Sequence, residues 1–565
     1  MLLLLLAAAA LAGFASAQSQ SPIHVSGVFP NIVGTAESAP KRSECGVGAM
    51  MAWADGLYYI TYLSVPDAGN GTGLYRVDAN MSQQLLASHS SVYANRLLVP
   101  GMQSIVIGPY VIDAQGGIRT ITALLDVRIG GMAEHLVYPD TKVYMLGMDG
   151  PLWEVDLLTL NVTQLFDLIP ALDMCTYPTL CPEQPHFKAA HSMAGKLWVA
   201  TNTYEQEDAL SIQHGGRLAW WDGVSANWTI EERTAFVEVT GRHNMGQVLF
   251  ALGWDDASVI LRVQELGGDE TAFGGFATYR LPKASHAYDH LWTTEWPRIR
   301  EVESERYLMV RAAPRKTTPR IGACSARPSL TRQPLPPPPL LLQDMHGMYY
   351  ELPALAYGGA SWGIKPISQH LRMVPDFASW RGMLVLGGNQ VSSIFDNNWV
   401  TGQAQSGLWF GKTDDLFALG KPAGWGGPWR YDAALPGVPS DAYLMTGFDK
   451  KVVHFRVDPP SPAFATKRGR SQAARSAPLA AAAPAWPSGV VTFTIQVDFD
   501  GASGAVGAHD YFEPWNSLTT ISINTSATDL ASNYAYYAFP QGFSAHWVRF
   551  TVSQAANVTV WLTYT

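Results

Sequence analysis

Apolar and polar positions along the chain alternate in short runs, and the runs come in pairs joined by tight turns. GVGAMMAWADGLYYITYL (Gly46 to Leu63) turns at Asp55-Gly56, and HFKAAHSMAGKLWVAT (His186 to Thr201) turns at Ala194-Gly195. A period of two over a few residues marks a strand, and a glycine between two such runs marks a hairpin. This strand–turn–strand unit recurs about seven times between roughly residues 44 and 420, each time with a polar or titratable residue near the start of its first strand. Units of about 40–60 residues built only from short strands are what a β-propeller requires. The blades are expected to begin near Glu44, Tyr93, Met132, His186, Val237, His290 and Val374, with His24 to Val33 closing the last one. Later in the blades come Gly73-Leu74-Tyr75, Pro151-Leu152-Trp153, Gly216-Arg217-Leu218 and Gly407-Leu408-Trp409. There glycine supplies the turn and the aromatics pack between neighbouring blades.

From about Asp441 the pattern changes. KKVVHFRV, VVTFTIQVDF, TTISIN, YAYYAF, AHWVRFTV and NVTVWLTY alternate with short turns, which predicts six or so antiparallel strands in a small sandwich. The expected fold is therefore all-β: a β-propeller of seven blades over residues 18–440, followed by a C-terminal β-sandwich over 441–565. The 51 Gly and 37 Pro, with only 15% charged residues, agree with a chain of many turns and no long amphipathic helices.

Two stretches break the alternation. Val310 to Gln343 has six Arg/Lys, no Asp or Glu, and the run Pro336 to Pro339. Removing it joins ERYLM to DMHGMYYELP as a continuous strand–turn–strand. A Val codon begins GT, a Gln codon can end AG, and 34 residues keep the frame, so the segment reads as a retained intron; the alternative is a disordered surface loop. Pro459 to Gly489, rich in Ala, Pro and Ser, reads as a flexible loop or linker within the sandwich. Without the ten basic residues of these two stretches the formal charge falls from −9 to −19. So acidic a folded part argues against nucleic acid or an anionic membrane as partner.

The apolar run Leu2 to Leu11, followed by Ala15-Ser16-Ala17, predicts a signal peptide over residues 1–17 and an exported protein. No later stretch reaches the roughly 20 apolar residues of a transmembrane helix. Six N-x-S/T sequons, at Asn70, Asn80, Asn161, Asn227, Asn524 and Asn557, are candidate glycosylation sites in a eukaryotic host. Of the four cysteines, Cys175 and Cys181 bracket TYPTL and are expected to form a small local disulfide; no cysteine spacing resembles a zinc site.

In a propeller the first strand of each blade lines a central channel. The residues expected near its mouth are Glu44, Arg96, Glu134, His135, His186, Lys188, Arg242, His243, Arg298 and Asp376. Arg and Lys suit carboxylates, and imidazoles can act as acid or base or ligate a divalent metal such as Ca or Mn. The combination suggests an acidic, uronate-containing glycan as partner, a polysaccharide or a cell-surface glycan. In β-elimination, His135 or His243 would serve as base and Tyr93 or His186 as acid, while Arg242 and Arg298 would clamp the carboxylate. Glycoside hydrolysis would instead need two carboxyls about 5–10 Å apart, for which Glu134 with Asp376, or Glu44 with Glu295, are the pairs available. The charged and aromatic string Thr293 to Glu301 offers Trp296 or Trp292 as a stacking platform. A non-catalytic glycan- or protein-binding scaffold is the alternative to an enzyme. No G-x-S-x-G, P-loop or H-E-x-x-H occurs, which counts against a serine hydrolase, a nucleotide enzyme or a zincin.

HLWTTEWPRIREVESERYLM joined to DMHGMYYELPALAYGG, together with WFGKTDDLFALGKPAGWGGPW and FSAHWVRFTV, resembles a group of secreted propeller-plus-sandwich proteins without an assigned activity. That resemblance covers about half the chain, implies the architecture and carries no catalytic residues to transfer. At fold level alone the chain also resembles seven-bladed propeller polysaccharide lyases, some of which hold a metal through histidines.

Overall fold

A computed structural model describes residues 31–33, 44–63, 72–175, 181–182, 185–203, 215–242, 247–266, 276–284, 298–302, 340–345, 347–352, 356–357, 360–361, 363–369, 374–391, 407–459, 487, 489–501, 515–526 and 529–565. The expected signal peptide, Asn70, His243, Trp292, Glu295, Trp296 and residues 310–339 lie outside the described residues, as does most of the 459–489 loop.

Seven sheets form the ring. Their innermost strands are Glu44–Trp53, Arg96–Val99, Ile129–Glu134, Phe187–Met193, Ala235–Arg242, Arg298–Val302 and Asp376–Trp380, which define blades one to seven. The fold is an all-β propeller, as the hairpin repeat predicts. The inner strand of the second blade starts three residues later than expected, at Arg96, and that of the third three residues earlier, at Ile129; the expected start of the sixth, His290, lies outside the described residues. In blade six the second strand is Leu340–Met345, pairing Val302 with Leu340 and Ile299 with Gln343. The last four residues of the expected insert therefore belong to the blade.

The ring closes twice. Asn31–Val33 becomes the outermost strand of blade seven, with Asn31 opposite Trp409. Asn389–Val391 then leaves blade seven to pair with the start of blade one, Gly46 opposite Asn389. Apolar layers sit between neighbouring blades. At the closure, Trp380, Val385 and Leu408 of blade seven bury against Val47, Met50 and Tyr59 of blade one. Each fully buried side chain of this size contributes on the order of 1.5–3 kcal/mol.

The sandwich packs two four-stranded layers. One comprises Gly424–Ala434, Ala556–Tyr564, Lys451–Asp458 and Tyr534–Ala538; the other Ala442–Leu444, Trp547–Val552, Val490–Asp498 and Asn516–Asn524. Their inward residues, among them Val453, Phe455, Phe493, Ile495, Phe550, Val558 and Val560, form one core. The sandwich begins at Gly424 and not near Asp441, because its first strand is rich in Gly and carries two register shifts that hide the alternation. The second layer continues the sheet of blade five, since Ala442–Leu444 pairs in parallel with Ala277–Leu281. Tyr279 of blade five packs on Trp547 with ring centroids 4.7 Å apart, and the shared core takes in Met348 and Tyr350 of blade six. The sandwich is thus built onto two blades by both hydrogen bonds and apolar packing. A disulfide joins Cys175 to Cys181 after blade three.

Candidate functional site in the central channel

The inner strands converge on a cavity of about 270 Å³ lined by residues of blades one to six, including Met51, Arg96, Lys188, His191, Glu238, Arg298 and Arg300. β-bulges help aim these side chains. The pairing of first and second strands shifts by one residue at Gly48, Gly130, Lys188 and Val237, in blades one, three, four and five. A bulge leaves one residue unpaired and re-aims the strand around it. At Gly48 and Gly130 the backbones come so close that a Cβ would collide with the carbonyl oxygens of Tyr93 and Phe187. In blade four the same place holds Lys188, which lines the cavity and is 1% exposed.

Asp376 of blade seven is the hub of the charges. It accepts from Arg96 Nε (3.1 Å), Arg300 Nε (2.9 Å) and the Met50 backbone N–H (2.8 Å). Arg300 Nη1 donates to Glu238 Oε2 at 2.7 Å, and Arg298 Nη1 lies 3.7 Å from the same oxygen. Arg298 Nε is held by the Pro375 carbonyl at 3.0 Å. Burial opposes ionisation of Asp376, but Arg96, Arg300 and Arg298 outweigh it and hold the carboxyl below its ordinary value. Burial pushes Arg96 down to about 10. At Arg300 burial works the same way, yet Asp376 and Glu238 outweigh it and hold the guanidinium above its ordinary value. In total, four cations (Arg96, Lys188, Arg298, Arg300) meet two carboxylates (Glu238, Asp376) at the channel among the described residues.

The structure brings together Arg96, Lys188, Arg298 and Asp376 from the sequence-predicted set. Glu238, Arg300 and His191 join them without standing among the predicted channel residues; the signal available for Arg300 was the charge-dense string ending at Glu301.

Other predicted groups serve the framework. His135 Nδ1 accepts from the Val137 and Tyr138 N–H groups, both at 3.0 Å, and Nε2 meets Glu154 at 2.7 Å. It therefore pins a turn of blade three, stacked on Tyr144, and does not line the cavity. Tyr93 is fully buried and donates to the carbonyls of Leu124 (3.1 Å) and Leu125; burial pushes its hydroxyl pKa up. His186 fixes a hairpin base: its carbonyl accepts from Thr201 Oγ1 and its N–H donates to Thr203 Oγ1, each at 2.9 Å. Glu134 offers its carbonyl to Ser192 Oγ at 2.5 Å and does not line the cavity. Arg242 ends the inner strand of blade five and Glu44 begins that of blade one.

Among the described residues no group of three or more His, Cys, Asp or Glu side chains could hold a metal ion. No helix of the described residues is long and apolar enough to cross a membrane. Of the sequon asparagines, Asn80, Asn161, Asn227 and Asn524 are exposed and Asn557 is half-buried.

No family model matches the chain, and no curated protein does. Among solved structures, the β-propeller domain of Myceliophteria thermophila Cps50 (Swd1) and U3-55K are each similar at 11% identity and a TM-score of 0.35. Each match covers 67% of this chain and 99% of the other.

Proposed function

We propose that the channel binds the carboxylate of an acidic, uronate-containing glycan, and that the protein is an exported glycan-binding propeller. The observation that carries this reading is that Arg96, Lys188, Arg298 and Arg300, from blades two, four and six, meet at one cavity among the described residues. The two oxygens of a carboxylate match a guanidinium fork, which suits such a lining to an acidic sugar. The cavity is small beside ligand pockets of about 300–1,000 Å³, so it suits one charged sugar unit and not a run of them.

Calorimetry with trigalacturonate, against a neutral trisaccharide of the same size, tests the reading. The wild type should bind only the acidic sugar, and Lys188→Met should weaken binding at least tenfold with the fold intact by circular dichroism. No binding of the acidic sugar, or equal binding of the neutral one, removes the proposal.

A second reading, β-elimination, is favoured by one observation: His191 lines the same cavity as Lys188 and Arg300. A base must lie within hydrogen-bond reach of the proton it removes. If His191 serves, polygalacturonate will yield unsaturated products seen by ultraviolet absorbance, and His191→Ala will abolish them. Absence of such products from the wild type leaves binding alone.

A further inference from the structure

The outer face of the first sandwich layer is a surface of another kind. Its inward residues fill the core, and the alternation turns Tyr534, Tyr536, His454, Arg456, Thr559 and Trp561 outward. Tyr534 is 47% and Tyr536 63% exposed, unusual for aromatic rings on a sheet. Strand register sets them in rows. Tyr536, His454 and Trp561 are direct neighbours across three strands, and Tyr534, Arg456 and Thr559 form the adjacent row. Two strand spacings put Tyr536 about 10 Å from Trp561.

The face is also pre-ordered. Gly424–Ala434 shifts register twice, between Gly426 and Trp429 and again between Trp429 and Asp432. Between the second shift's limits, Tyr431 adopts a left-handed backbone (φ 58°), which a residue with a Cβ rarely does. Its N–H is held by Thr559 Oγ1 at 3.0 Å. This places the Tyr431 ring under the Arg456 guanidinium (4.8 Å) and Arg430 over Trp561 (5.2 Å). His454 Nδ1 and the Tyr534 hydroxyl share a hydrogen bond of 2.7 Å. Rings and cations thus alternate over one flat face, fixed by neighbours before any partner arrives.

We infer that this face is a second glycan-binding surface, which holds an extended acidic polysaccharide on the outside of the protein. Flat pyranose faces carry C–H groups that pack on Tyr and Trp rings. Beside them Arg456 is paired with Asp458 through Nε at 2.5 Å and Arg430 donates through Nη1 to the Asp256 carbonyl at 2.8 Å, so the rings lead the contact. Protein interfaces also use Tyr, Trp and Arg, so retention by the polymer is the outcome that separates the two occupants. The acidity of the polymer rests on the channel reading; the ring platform does not.

Affinity electrophoresis through gels containing polygalacturonate, alongside the trigalacturonate calorimetry above, separates the two surfaces. Tyr536→Ala and Trp561→Ala should each weaken retention by the polymer at least tenfold and leave trisaccharide affinity unchanged. Tyr536 is well exposed, so its variant keeps the test sound if removing Trp561 disturbs the sheet. Retention unchanged in both variants overturns the inference, and so does a wild type that the polymer gel never retards. A change in sedimentation mass without loss of retention makes the face an interface between copies and also overturns it. Equal retardation by a neutral β-glucan overturns the assignment of an acidic chain. Should trigalacturonate fail to bind while Tyr536→Ala still abolishes polymer retention, the channel reading fails and the platform stands.

Discussion

Asp432 sits where the sandwich meets blade five, and its replacement by Asn should make the protein more stable as pH rises. Burial pushes the Asp432 pKa up to about 8, with Asp256 and Asp255 adding to the shift and Arg280 and the Arg430 N–H opposing it. The carboxyl accepts from that N–H at 3.0 Å, while Arg280 is already engaged by Asp441 and Asp255, each at 2.9 Å. A carboxyl raised above its unfolded value of about 3.9 makes the native state bind the extra proton between those two pKa values. Stability then falls as pH rises through that window, at up to about 1.4 kcal/mol per pH unit, and levels off above pH 8. Because Asp432 is only half-buried, solvent screening reduces the effect to on the order of 1–2 kcal/mol between pH 5 and 8. Asn keeps the acceptor oxygen and removes the titration. In urea titrations at pH 4.5, 6, 7 and 8, the midpoint of Asp432→Asn should start near that of the wild type and move progressively above it. Parallel curves, or a gap that closes with rising pH, would refute the argument that the seam holds a carboxyl against its charge.

Two further perturbations test the ring. Asp376→Asn removes the carboxylate that Arg96 and Arg300 share inside the ring, which should cost about 3–5 kcal/mol by urea denaturation; a loss under 1 kcal/mol would show that the network is not a clasp. Deleting residues 310–343 shortens the link between Val302 and the next strand from 37 residues (303–339) to 3 (303–305) and sets Arg306 to Met309 opposite Val302 to Ile299. Loop closure then favours the shortened chain by about 2 kcal/mol, so it should express folded with an equal or higher thermal midpoint, and failure to fold would tie the segment to blade six.

Much of the ring was legible because hairpins repeat their turn chemistry: Asp55-Gly56 and Ala194-Gly195 mark inner hairpins whose strands alternate cleanly. The channel was half legible. Lys188, Arg96, Arg298 and Asp376 stand at or near the starts of inner strands, where any propeller reading places the site. Glu238 was missed because the bulge at Val237 shifts the pairing by one residue, so that alternation counted from Ala235 no longer gives the facing side. His135 and Tyr93 also lie at inner-strand ends, but what decides their roles is local: two N–H groups of the next turn hold the imidazole, and two loop carbonyls hold the phenol. Alternation carries no information on such contacts. The sandwich start at Gly424 was hidden for the same reason as Glu238, by register shifts in a strand too rich in glycine to alternate.

The charges of the channel could be read as a clasp alone, since Asp376 and Glu238 draw together blades five, six and seven with Arg96 of blade two and the backbone of blade one. A clasp, however, is cheapest when its charges balance, because each surplus buried ion adds a desolvation cost of several kcal/mol. Asp376 with Arg96 and Glu238 with Arg300 would already close the ring as two pairs. Arg298 shares Glu238 with Arg300, its Nη1 3.7 Å from the same oxygen, and Lys188 lines the cavity beside them at 1% exposure. Four cations gathered at one cavity, on a protein whose formal charge is −9, support the proposed anion as the channel's ligand.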